Sequence, residues 1–80
     1  MRYRVFVRLK PGVLDVQGKT VEKGLTNLGF EGIENVRVGK LIELDVEQDD
    51  PEKAKEQVEA LCEKLLANTV IENYEVQSCS

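Results

Sequence analysis

The chain has 80 residues, 41% hydrophobic and 32% charged, the composition of one small soluble globular domain with no room for a second. Fifteen acidic against eleven basic residues leave a net charge of -4, which opposes attraction to a phosphate backbone and makes nucleic acid a poor partner. The sequence has no His, the commonest general base and metal ligand, and Cys62 and Cys79 form neither a CxxC pair nor part of a ligand cluster. A metal site, a disulfide framework and a private catalytic centre therefore lack support.

Tyr3, Val5, Val7 and Leu9 share one parity and Arg2, Arg4, Phe6 and Arg8 the other, which predicts a half-buried strand stopped by Lys10-Pro11-Gly12. Asp15 is placed to N-cap a helix in which Val21, Leu25 and Leu28 recur at helical spacing and which Gly29 ends, although Gly18 and Gly24 weaken it. Val36 and Val38, a tight turn at Gly39-Lys40, and Ile42, Leu44 and Val46 alternating with Glu43, Asp45 and Glu47 predict a hairpin. Asp49-Asp50-Pro51-Glu52 opens a second helix with an acidic cap and Pro in its first turn. Its expected apolar stripe is Ala54, Val58, Leu61, Cys62, Leu65 and Leu66, and Asn68 ends it before Val70, Tyr74 and Val76 resume period two. The order β-α-β-β-α-β predicts an α+β two-layer sandwich over residues 1–80, a four-stranded antiparallel sheet with two helices on one face in the ferredoxin-like arrangement. With no basic-then-apolar leader and no apolar run near the roughly 20 residues of a membrane helix, no membrane is expected and a reducing cytoplasmic setting fits.

In that arrangement the first strand lies beside the third, so the arginines of Arg2, Arg4 and Arg8 face Glu43, Asp45 and Glu47 across the ladder. Phe6 and Leu41 interrupt this open charged face and are the candidates for self-association. The C-terminal strand, ending Gln77-Ser78-Cys79-Ser80, is a second candidate if it lies at a sheet edge. Val16-Gln17-Gly18 superficially resembles the acylphosphatase loop, but Glu22 stands where that chemistry needs an arginine, a charge inversion at a phosphate site. Cys62 on an apolar stripe reads as a small core residue, and the carboxylates Glu43, Asp45, Glu47, Asp49 and Asp50 fall on a solvated face and a helix start, so no metal site is expected.

The run Leu9-Lys10-Pro11-Gly12-Val13-Leu14-Asp15, continuing through Gln17-Gly18, closely resembles the opening of the PurS family, the small subunit of phosphoribosylformylglycinamidine synthase. Leu28-Gly29-Phe30, Val36-Arg37-Val38-Gly39-Lys40, the stretch from Cys62 to Asn68, Val70-Ile71-Glu72 and Tyr74 follow that family's order and spacing across nearly the whole chain. Val16 and Thr69 depart from it where Pro is usual, and each junction loses a φ restraint.

The resemblance implies a non-catalytic subunit, acting as a dimer or tetramer, that binds a glutaminase subunit and a large synthetase subunit and helps ammonia pass between them. It implies no cofactor bound by this chain, ATP and Mg being used by the synthetase. Because turns display side chains and amides to partners, Lys10, Pro11, Gly12, Arg37, Gly39 and Lys40 are the expected partner contacts. The alternative from another class is a regulatory module of ACT type that binds an amino acid at a dimer interface, with Gly12 and Gly29 serving the site.

Overall fold

The computed structural model describes residues 1–79, in the order β1 (Arg2–Leu9), α1 (Val16–Asn27), β2 (Lys40–Asp45), α2 (Pro51–Leu61) and β3 (Glu72–Ser78), with α2 continued by a π-helical turn over Cys62–Leu66. Strand β1 is central and antiparallel to both neighbours in the order β2-β1-β3. Its alternation sends Tyr3, Val5 and Val7 to one face, where they form the core with Val46, Ala54, Val58, Cys62 and Ala67. Val5 sits opposite Ile42 on one side and Val76 on the other, so all three strands contribute apolar residues to this face.

The opposite face carries the charges as expected. Arg2 reaches Asp45 at 3.2 Å and Glu43 at 3.4 Å, and Arg4 lies 3.7 Å from Glu43. Arg8 turns instead to Glu75 of β3 at 3.9 Å, because its register on the β2 side falls beyond the strand, and Glu47 also lies past the end of β2. All these pairs are solvated, so they select register more than they stabilise.

Asp50 caps α2 by accepting the Glu52 N–H at 3.0 Å, with Pro51 in the first helical position. Ala54, Val58 and Cys62, spaced by four, press on the sheet, and the Tyr3 hydroxyl donates to the Pro51 carbonyl at 3.4 Å. The stripe is narrower than the sequence suggested: Leu61 is 37% and Leu65 79% exposed. β3 also starts later than Val70, after a turn in which Ile71 and Glu72 both donate to the Asn68 carbonyl. It is an edge strand, and Ser80 lies outside the described residues.

Two expectations need correction. The described residues form three strands rather than four, because the segment holding Val36 and Val38 is not a strand and makes no hairpin with β2. Its backbone donors are taken by α1: Val36 N–H donates to Glu22 Oε1 at 3.4 Å and Val38 N–H to Asp15 Oδ2 at 2.7 Å. Gly18 permits this approach, since a Cβ there would collide with the Val36 carbonyl. The second correction concerns α1, which begins at the Asp15 cap and ends at Gly29 with φ of 90° as expected, yet does not cover the sheet. Neither the core nor the residues packed on it include any position between Val7 and Ile42. The chain is accordingly long, with extents of 50 × 26 × 15 Å and a radius of gyration of 16.0 Å, where a compact chain of this length has about 11.6 Å.

Candidate functional site

Arg37 organises the end of the sheet from which α1 departs. Its guanidinium donates to the Val13 carbonyl at 2.9 Å and the Lys10 carbonyl at 3.2 Å, clamping both ends of the turn that holds Pro11 and Gly12. The Val13 N–H closes the turn onto the Lys10 carbonyl at 3.1 Å, and the Lys10 N–H ties it to the Ile71 carbonyl beside β3 at 2.8 Å. Pro11 and Gly12 are thereby held outward, exposed, on a fixed backbone with φ of 87° at Gly12.

Next to this turn the chain returns to β2. At Gly39 an added Cβ would lie 2.7 Å from the Val7 carbonyl, so only glycine lets the return pass so close to β1. The Lys40 ammonium sits 3.8 Å from Glu72 Oε2, and Glu72 Oε1 accepts the Asn68 N–H at 2.7 Å. A cleft of about 340 Å³ runs between this end of the sheet and the start of α1, lined among others by Leu9, Leu14, Val16, Lys40 and Glu72. Leu14 and Val16 are 70% and 68% exposed.

The structure therefore gathers Lys10, Pro11, Gly12, Arg37, Gly39 and Lys40 at one end of the molecule, though Arg37 is occupied as a brace and Lys40 as a partner of Glu72. Phe6 and Leu41 lie elsewhere, opposite each other across β1 and β2 on the open face, with the Arg8 guanidinium 5.6 Å from the Phe6 ring centre. Gly12 and Gly29 are separated by the whole of α1, about 18 Å of helix. The sequence marked Asp15 only as a cap. Its second role, accepting Val38 across the chain, rests on a long-range contact that no local spacing reveals.

Cys62 is buried and burial pushes its thiol up, with Glu59 and Glu63 adding to the shift, the reverse of what a nucleophile needs. Among the described residues no group of three or more His, Cys, Asp or Glu is placed to hold a metal ion, and no helix is long and apolar enough to cross a membrane. The site is a turn braced by Arg37 beside a cleft lined in part by Leu9, Leu14 and Val16.

The family model described as PurS, phosphoribosylformylglycinamidine (FGAM) synthase, matches residues 2–79. The chain belongs to the PurS family. It is 51% identical to the PurS subunit of Synechocystis over 71 residues, covering 89% of this chain and 71% of the relative, and 44% identical to that of Methanocaldococcus jannaschii, covering 91% and 88%. It also superposes on Bacillus subtilis PurS with a TM-score of 0.85 at 42% identity, covering 95% and 94%, and on a chain of PurLQS from Thermotoga maritima with 0.86 at 38%, covering 95% and 93%. PurS is a subunit of FGAM synthase, so this chain serves purine biosynthesis as part of a multi-chain ligase rather than alone.

Proposed function

We propose that this chain is the non-catalytic member of its FGAM synthase. It docks a glutaminase subunit and a large synthetase subunit in the cytoplasm and helps ammonia released by the first reach the second. There ATP and Mg, used by the synthetase and not bound by PurS, drive conversion of formylglycinamide ribonucleotide to formylglycinamidine ribonucleotide. The observation that supports this reading most is the Arg37 clamp, which spends a cation on holding the Lys10–Val13 turn in one shape. A preformed loop docks at lower entropic cost than one ordered on contact.

The contact side chains are Lys10 and Pro11, presented by that turn. Lys10→Glu keeps the carbonyl used by Arg37 and changes only the displayed side chain, so it tests contact without breaking the clamp. Co-elution with the two larger subunits should weaken at least tenfold, and unchanged co-elution would remove the turn from the interface.

PurS also joins copies of itself, and Phe6 and Leu41 supply one surface. Leu41 is 52% exposed beside Phe6 on a face otherwise covered with charge. Replacing both with Ser should lower the native mass by one level of assembly, and an unaltered mass would exclude this face.

A further inference from the structure

Two anchors of different kinds hold the Lys10–Val13 turn. The Arg37 guanidinium grips carbonyls at both ends of the turn and so fixes its shape. Where the turn stands against the sheet is set by the bond from the Lys10 N–H to the Ile71 carbonyl at 2.8 Å. The pairing of β1 with β3 ends at Leu9 opposite Glu72, so this bond is a rung just beyond the ladder. End rungs are the first to open, because the ladder supports them from one side only. The Lys10 rung is therefore only as firm as the hold on Ile71.

That hold comes from Glu72. Residues 68–71 make a four-residue turn in which the Ile71 N–H donates to the Asn68 carbonyl at 3.0 Å and the Asn68 side chain accepts the Val70 N–H at 3.2 Å. Glu72 then binds the first residue of this turn twice. Its N–H donates to the Asn68 carbonyl at 2.7 Å, and its Oε1 accepts the Asn68 N–H, also at 2.7 Å. Its Oε2 lies 3.8 Å from the Lys40 ammonium, where β2 begins, and the side chain is only 14% exposed. Glu72 also lines the cleft beside the start of α1 and a second hollow of about 290 Å³, whose wall includes Lys10.

We propose that Glu72 is a positioning residue for assembly: by closing the 68–71 turn it fixes the Ile71 carbonyl, and through that carbonyl the Lys10–Val13 turn. This rests on the docking role proposed above for that turn. The gain is preorganisation, since a turn already held in place loses less freedom on contact. The Oε1 acceptor does this rather than the ion pair, because the Lys40 side chain is 60% exposed and a solvated pair holds little. Glu72→Gln keeps an acceptor oxygen and should keep the function, whereas Glu72→Ala removes it. Thr69 is second in the 68–71 turn, where Pro presets φ, so Thr69→Pro should replace the lost side-chain bond with a backbone restraint.

The test reads each variant twice. In hydrogen exchange on the free chain, protection of the Lys10 amide should fall at least tenfold in Glu72→Ala, stay within threefold in Glu72→Gln, and recover in Glu72→Ala/Thr69→Pro. The Val5 amide, in the middle of β1, reports general loss of stability and should keep its protection throughout. In glutamine-dependent synthesis with the two larger subunits, the concentration of this chain giving half-maximal stimulation should rise at least tenfold in Glu72→Ala and return with Thr69→Pro, at an unchanged maximal rate. Unaltered Lys10 protection in Glu72→Ala overturns the proposal, as does a Thr69→Pro variant that restores neither readout. A loosened Lys10 amide with an unchanged half-maximal concentration, where Lys10→Glu does raise it, overturns the positioning role and leaves the docking turn standing. If Lys10→Glu also leaves it unchanged, the docking reading fails and the proposal falls with it.

Discussion

Asp15 Oδ2 accepts the N–H of Val38 at 2.7 Å while Asp15 Oδ1 accepts that of Gly18 at 2.7 Å, so one carboxylate caps α1 and fastens the chain's return to β2. The side chain is nearly inaccessible, and the two N–H groups hold its pKa below the ordinary carboxylate value. Because the folded value is lowered, the carboxylate contributes stability above about pH 3.9, and that contribution is lost as the pH falls through the folded value. Asp15→Asn should lower the melting temperature at neutral pH and flatten the acid limb of the stability curve. Hydrogen exchange should show the Val38 amide losing protection while Val5 keeps its own, and retained protection at Val38 would contradict the fastening role.

Three glycines should respond to alanine with different signs. At Gly39 the new methyl would press on the Val7 carbonyl, and at Gly18 on that of Val36, so each substitution should cost about 1–3 kcal/mol. At Gly24 nothing lies within 4 Å of the added Cβ, and replacing a mid-helix glycine should stabilise by roughly 0.5–1 kcal/mol. Denaturant midpoints of the three variants check this ordering, and a stable Gly39→Ala protein would refute the close approach at β1.

The Tyr74 hydroxyl donates to Glu63 Oε1 at 2.8 Å, and this bond, with some burial, pushes the phenol up to about 12. A raised folded value means the contribution is complete below the unfolded value of about 10 and is lost as the pH rises from there toward 12. Ring-carbon shifts in an NMR titration should place Tyr74 near 12, and Glu63→Gln should bring it down. Tyr74 titrating at its ordinary value in the unsubstituted chain would show that the bond is not held.

Much of this fold is legible from local signals. β1 and β2 follow alternation, α2 follows its Asp50-Pro51 start, and α1 follows Asp15 and Gly29. The segment around Val36 and Val38 misleads because its strand-like pattern is overridden by two acidic side chains of the α1 region, which take its amides. Leu61 and Leu65 mislead because apolar spacing reports which helix face is greasy, not whether this chain covers it. The candidate turn was legible in Lys10-Pro11-Gly12, but the brace was not, because Arg37 acts through its guanidinium on carbonyls from distant positions.

The central claim is that PurS serves glutamine-derived ammonia without doing the ligation chemistry. The most direct measurement compares glutamine-dependent with ammonia-dependent synthesis of the amidine product by the two larger subunits, with and without this chain. The account predicts that adding it raises the glutamine-dependent rate at least tenfold and leaves the ammonia-dependent rate nearly unchanged. Equal stimulation of both rates would place its action on the synthetase chemistry and contradict the claim.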